Sequence, residues 1–246
     1  MALKSDCLTD QREDISRCMV HLTRDDRGEL EGMTVRENFD NILLHGRIVA
    51  IRPHCLHRKK VPASFRHLFD VCCFTETPLD QIHHLTGRIA GRQVNLEPYG
   101  FVFSREFLLR NNAQQVVHVN SYCRDELRAS YNAIFDTALV KRFKNKSWRI
   151  LPFVSAMHDG YDFSWEREWR IQGELRFRPS DLHCVILPDD GDGELLESLA
   201  RKGIAYVCPG WTYERIALEI AAQQRRTRKL LKPRCLVRKK VSANGV

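Results

Sequence analysis

Apolar and polar residues alternate through SRCMVHLT (16–23), with Cys18, Val20 and Leu22 on one side and Met19, His21 and Thr23 on the other. That period of two predicts a strand with one buried face. The period then changes. In TVRENFDNILLHG, Val35, Phe39, Ile42 and Leu43 recur at helical spacing, Thr34 stands at the N-cap with Glu37 three residues on, and Gly46 marks the stop. RIVAIR (47–52) reads as strand again. Residues 52–69 lose periodicity, are basic, contain two prolines and several histidines, and read as a long surface loop.

VCCFTE (71–76) predicts a short buried strand, followed by Thr77 and Pro78 as N-cap and N1 of a helix through Leu85, with Gly87 and Gly91 closing it. YGFVFS (99–104) is a strand, Ser104 caps a short helix over REFLLRNN, VVHVN (116–120) is a strand, and 121–143 has helical spacing. The second half is richer in strand: RILPFV (149–154), DFSWEREWRIQG (162–173) and HCVILP (183–188). A helix over GELLESLARKG, a strand IAYVCP and a helix starting at Trp211 complete the chain, with Pro233 ending or bending that last helix. Strands and helices mix without a regular βαβ repeat, so the fold class is α+β with mixed, mainly antiparallel strands and flanking helices.

A chain of 246 residues, 43% hydrophobic and 28% charged, suits one globular unit. The expected division is an N-terminal arm (1–15), a single α+β domain (16–223) and a basic C-terminal tail (224–246). The first residues, MALKSDCLTDQRED, scatter charge where a secretory signal needs an apolar run, and no stretch reaches the length of a membrane span. The expected location is the cytoplasm, with no membrane partner. Nine cysteines, odd in number and scattered, suit reduced thiols better than a disulfide framework.

Charge changes the picture more. The net charge is +8, yet the tail alone holds nine cations and no acid: Arg225, Arg226, Arg228, Lys229, Lys232, Arg234, Arg238, Lys239 and Lys240. Without them, 30 basic residues face 31 acidic ones, so any pull on nucleic acid or an acidic protein comes from the tail.

Candidate chemistry concentrates in SWEREWRI (164–171). Treated as one strand, it puts Glu166, Glu168 and Arg170 on one face, with the carboxylates about 6.6 Å apart at a rise of about 3.3 Å per residue. In a cleft such a pair splits its acidities; on a solvated face it makes ion pairs. His21, sharing a face with Thr23, is a second candidate, because an imidazole can bond a sugar hydroxyl. Thr75 in FTETP and Tyr99 in PYG are further ones, each also readable as structural. Metal is not expected: of His54-Cys55-x-His57, Cys72-Cys73 and His83-His84, only the first has suitable ligand spacing.

HLT, CFTETPL, EPYGFVFSREFLL, VVHV, EREWRI and HCVILP, in that order over about residues 18 to 210, resemble the AbiGi-type abortive phage-resistance proteins. The layout is more distantly similar to ADP-ribosyltransferases, including the DarT-like enzymes that modify nucleic acid. That second resemblance implies a split two-sheet core, NAD as substrate, and ADP-ribose transfer to nucleic acid or protein. It further implies that Glu168 is catalytic, Glu166 orients the acceptor, His21 and Thr23 hold the NAD ribose, and Thr75 or Tyr99 lines the nicotinamide side. A carboxylate on the ribose 2′-hydroxyl would stabilise the cationic transition state. The first resemblance implies an alternative: a non-enzymatic, antitoxin-like protein that binds a toxin partner or nucleic acid through its basic tail.

Overall fold

A computed structural model describes residues 16–24, 32–52, 67–90, 92, 95–120, 129, 146–157, 164–188 and 192–231. The arm, nearly all of the 52–69 loop, the helical stretch 121–143 apart from Ala129, and the tail beyond Leu231 lie outside the described residues.

Helix α1 (Val35–His45) forms where sequence-local signals agree. The Thr34 side chain accepts from the Glu37 amide, the Glu37 carboxylate accepts from the Thr34 amide, and Gly46 ends the helix at φ 58°, its N–H donating to the Ile42 carbonyl. A Cβ on Gly46 would stand 2.4 Å from the Phe177 carbonyl oxygen. Gly46→Ala should therefore lower stability by about 2 kcal/mol, from left-handed strain plus a backbone clash, and Tm by roughly 4–8 °C in a calorimetric melt.

Strands β1 (Cys18–Leu22), β3 (Val71–Thr75), β4 (Gly100–Ser104), β5 (Gln114–Gln115), β8 (Glu168–Gln172), β10 (Leu182–Ile186) and β11 (Tyr206–Val207) make one sheet in the order β11-β10-β4-β1-β3-β8-β5. Every neighbouring pair is antiparallel except β10 with β11. Two small sheets flank it, β2 (Arg47–Ile48) with β9 (Leu175–Arg176), antiparallel, and β6 (Val117–Asn120) with β7 (Val154–Met157), parallel. The fold is thus α+β with a mixed, mostly antiparallel sheet.

Both faces of the large sheet are covered. Its first face presents Met19, Phe74, Phe101, Phe103, Trp169 and Ile171 to α1, α2 (Arg105–Arg110) and α3 (Gly193–Lys202). Its second face presents Val20, Leu22, Val102, Cys184 and Ile186 to Ile82 and Leu85 of a 3-10 helix (Leu79–Leu85), and to Ile216 and Ile220 of α4 (Tyr213–Leu231). β1 consequently has two buried faces where the alternation predicts one, because helices lie on both sides. α4 stops two residues before Pro233, and the boundary drawn at residue 224 falls inside this helix.

Four expectations are corrected. Thr77 does not cap a helix: the 3-10 helix starts at Leu79 after Pro78, with no side-chain cap. RILPFV is mostly 3-10 helix (Lys146–Phe153), since Pro152 has no amide for a ladder, and β7 begins only at Val154. SWEREWRI is not one strand. Ser164–Glu166 is a 3-10 turn, Arg167 adopts φ 49°, and strand geometry starts at Glu168.

Candidate functional site

The sheet forks beside His21. β1 pairs with β4 over all five residues, but with β3 at Val20 opposite Thr75, while β3 pairs with β8 along its whole length. The His21 ring fills the opening, its Nδ1 2.9 Å from the Cys73 carbonyl oxygen and its centroid 5.8 Å from that of Phe74. A carbonyl only accepts, so Nδ1 carries the proton and Nε2 is the acceptor. Burial pushes the imidazole down to about 4, the Cys73 carbonyl opposes that, and Arg24 adds to it. His21 is therefore neutral at physiological pH.

Thr23 and Tyr99 meet just beyond the fork. The Thr23 amide and hydroxyl both donate to the Tyr99 carbonyl, at 2.8 and 3.0 Å, which commits the hydroxyl to the backbone. The Tyr99 ring packs against Phe39 at 5.4 Å, with the Arg36 guanidinium 6.0 Å from its centroid.

The other three candidates gather elsewhere, where β3 ends and β8 begins. Glu168 opposes Thr75 in the ladder. The Arg170 guanidinium grips the Glu168 carboxylate with two bonds of 2.9 and 2.8 Å, and also donates to the Ser155 hydroxyl at 3.0 Å and the Pro152 carbonyl at 2.7 Å. Arg170 is 2% exposed, and the Glu168 side chain retains 14% of its surface. The carboxylate is thus held in one orientation yet reachable. Thr75 donates to the Glu166 carbonyl at 2.7 Å, so the Thr77 hydroxyl donates in turn to Thr75 Oγ1 at 2.8 Å.

The left-handed Arg167 explains why Glu166 and Glu168 part. It turns the chain between them, so the Glu166 carboxylate lies 3.3 Å from Arg92 Nε, whereas Glu168 belongs to Arg170. The two carboxylates do not line one strand face as a pair. A third acid, Glu76, is buried on the first face; it pairs with Arg105, accepts from the Trp169 indole at 3.1 Å and lies 3.9 Å from Arg167. Arg105 also stacks over the Trp169 ring at 4.7 Å.

Register decides the geometry of the whole. His21 opposes Phe101 on the first face, whereas Glu168 and Arg170 alternate with Trp169 and Ile171 and so point to the second. His21 and Glu168 therefore sit on opposite faces of the sheet. No known protein family, curated protein or solved structure matches this chain. Among the described residues, no group of three His, Cys, Asp or Glu side chains could hold a metal, and no helix is long and apolar enough to cross a membrane.

Sequence reading missed Arg92, Arg105 and Ser155, whose acidic or guanidinium partners lie far away in the chain and leave no local signal. Glu76 had a signal: an acid that directly follows an apolar strand must find a partner. Burial raises the Cys18 thiol to about 11 and the Cys72 thiol to about 12, so neither is a thiolate nucleophile at neutral pH.

Proposed function

We propose that this chain acts in phage defence as a binding protein whose basic C-terminal segment contacts nucleic acid. One observation carries the reading: nine cations and no acid follow Gln224, while the rest of the chain is almost neutral. Helix α4 runs to Leu231 and bears the first four of them, Arg225, Arg226, Arg228 and Lys229, on a framework anchored by Ile216 and Ile220. Clustered cations neutralise phosphates and release counterions, so affinity must fall steeply with salt. In fluorescence anisotropy with duplex DNA and with an RNA hairpin, the full chain should lose affinity with a log–log salt slope of about −0.9 per phosphate contacted on duplex. Truncation after Gln224 should remove that slope. Equal binding by the two proteins, or binding only to an acidic toxin-like protein partner, sinks the nucleic-acid reading.

A second reading, ADP-ribosyl transfer from NAD, is favoured by Glu168. A carboxylate fixed bidentately by a buried arginine, yet still reachable, suits a ribose 2′-hydroxyl at a developing cation. His21 and Glu168 do not fit a single bound NAD, so transfer would rest on Glu168 with Thr75 nearby, and not on His21, Thr23 or Tyr99. Glu168→Gln should then abolish nicotinamide release from labelled NAD, while His21→Asn leaves it intact. Equal release by wild type and Glu168→Gln removes Glu168 from any such chemistry.

A further inference from the structure

β11 is the last strand of the large sheet. Its inner side is used: the Val185 amide donates to the Ala205 carbonyl at 2.9 Å and the Leu187 amide to the Val207 carbonyl at 3.0 Å. In a parallel ladder this turns the Tyr206 N–H and C=O outward. An outward pair of that kind invites another strand. Here it meets a side chain instead: the Tyr206 N–H donates to Gln223 Oε1 at 2.8 Å, and Gln223 Nε2 donates to the Tyr206 carbonyl at 3.1 Å. The primary amide of α4 thus reproduces the two bonds a neighbouring strand would make.

Gln223 stands two residues before Arg225. Arg225 with Arg228, Arg225 with Lys229 and Arg226 with Lys229 are like charges one helical turn apart, a spacing that destabilises a helix end. Phosphate groups cancel that repulsion. We propose that occupation of the basic segment by nucleic acid firms the last turns of α4 and, through the Gln223 amide, closes the outer edge of β11. The contact is then a regulated cap: the same helix reads the polyanion and controls whether a sheet edge is open. This rests on the nucleic-acid reading above.

The test is amide hydrogen exchange at Tyr206 in the full chain, with and without a DNA duplex of about 20 base pairs, alongside anisotropy on the same samples. Wild type should show about tenfold slower exchange at Tyr206 when DNA is bound. Gln223→Ala should exchange faster at Tyr206, bind DNA with unchanged salt dependence, and give no exchange response. Gln223→Asn, one methylene too short to make both bonds, should behave as Gln223→Ala does; it serves in its place if melting shows the alanine variant unfolded. DNA binding with unchanged Tyr206 exchange overturns the coupling while leaving the binding reading intact. No binding in any form of the protein overturns both.

Discussion

Arg170→Ala is expected to cost about 3–5 kcal/mol, the largest loss from any single substitution considered, and roughly 6–20 °C in Tm for a chain of this size. The reason is what the change leaves behind. Arg170 is almost wholly buried and bonds Glu168, Ser155 and the Pro152 carbonyl; its removal strands a carboxylate, a hydroxyl and a peptide oxygen in a site closed to most water. It also unties β8 from the segment leading into β7. Arg170→Lys keeps the charge but not the fork, so it should recover only part of the loss. Glu168→Gln removes the ion pair without emptying the site and should cost less than Arg170→Ala. In the double variant the costs should add to less than their sum, because each single change breaks the same contact. Chemical denaturation of the four proteins gives these numbers directly. A loss under about 1 kcal/mol for Arg170→Ala would mean that water reaches the pair, and its value would then be that of a surface salt bridge.

The same pair shows what a sequence can and cannot reveal. Helix α1 was legible because its causes are local: Thr34, Glu37 and Gly46 lie within one helix of each other. Strands β1, β3, β4 and β10 were legible because burial in a sheet selects apolar or alternating residues over a few positions. The Glu168 and Arg170 partnership was visible as two residues on one side of a strand. Glu166 was misplaced because the turn that diverts it rests on a left-handed arginine, a conformation that the residue type does not announce. Thr77 looked like a cap, but the Thr75 hydroxyl engages its amide at 3.1 Å and its side chain at 2.8 Å. The sheet order, the fork at His21 and the opposition of faces depend on pairings between residues 50 to 100 positions apart, and no local period encodes them. A layout analogy to ADP-ribosyltransferases could place a histidine on an early strand and a glutamate on a late one. It had no means of assigning their faces, and that assignment decides whether both can touch one ligand.

His21 gives the second large effect, and it depends on pH. Its folded value of about 4 lies below the unfolded value of about 6.5, and burial is the main cause. Between those limits the unfolded chain takes up a proton that the folded chain refuses, so stability is complete above about pH 6.5 and is lost progressively as pH falls towards 4. The depression corresponds to about 3 kcal/mol at most, and partial access of water to the ring reduces it to about 1–3. His183 is lowered by burial as well and adds in the same direction. The lowered carboxylates Glu37 and Asp192 act in the opposite half of the range: their contribution is present above their unfolded values and disappears below them, so they steepen the loss only at the acid end. His21→Asn isolates the effect. An asparagine amide can still donate to the Cys73 carbonyl but takes up no proton, so the variant should be less stable at pH 7 yet lose less between pH 6.5 and 4 than wild type. Urea midpoints across that window read the difference. Parallel curves for the two proteins would place the acid lability elsewhere and show that the imidazole can be charged within the fold at little cost.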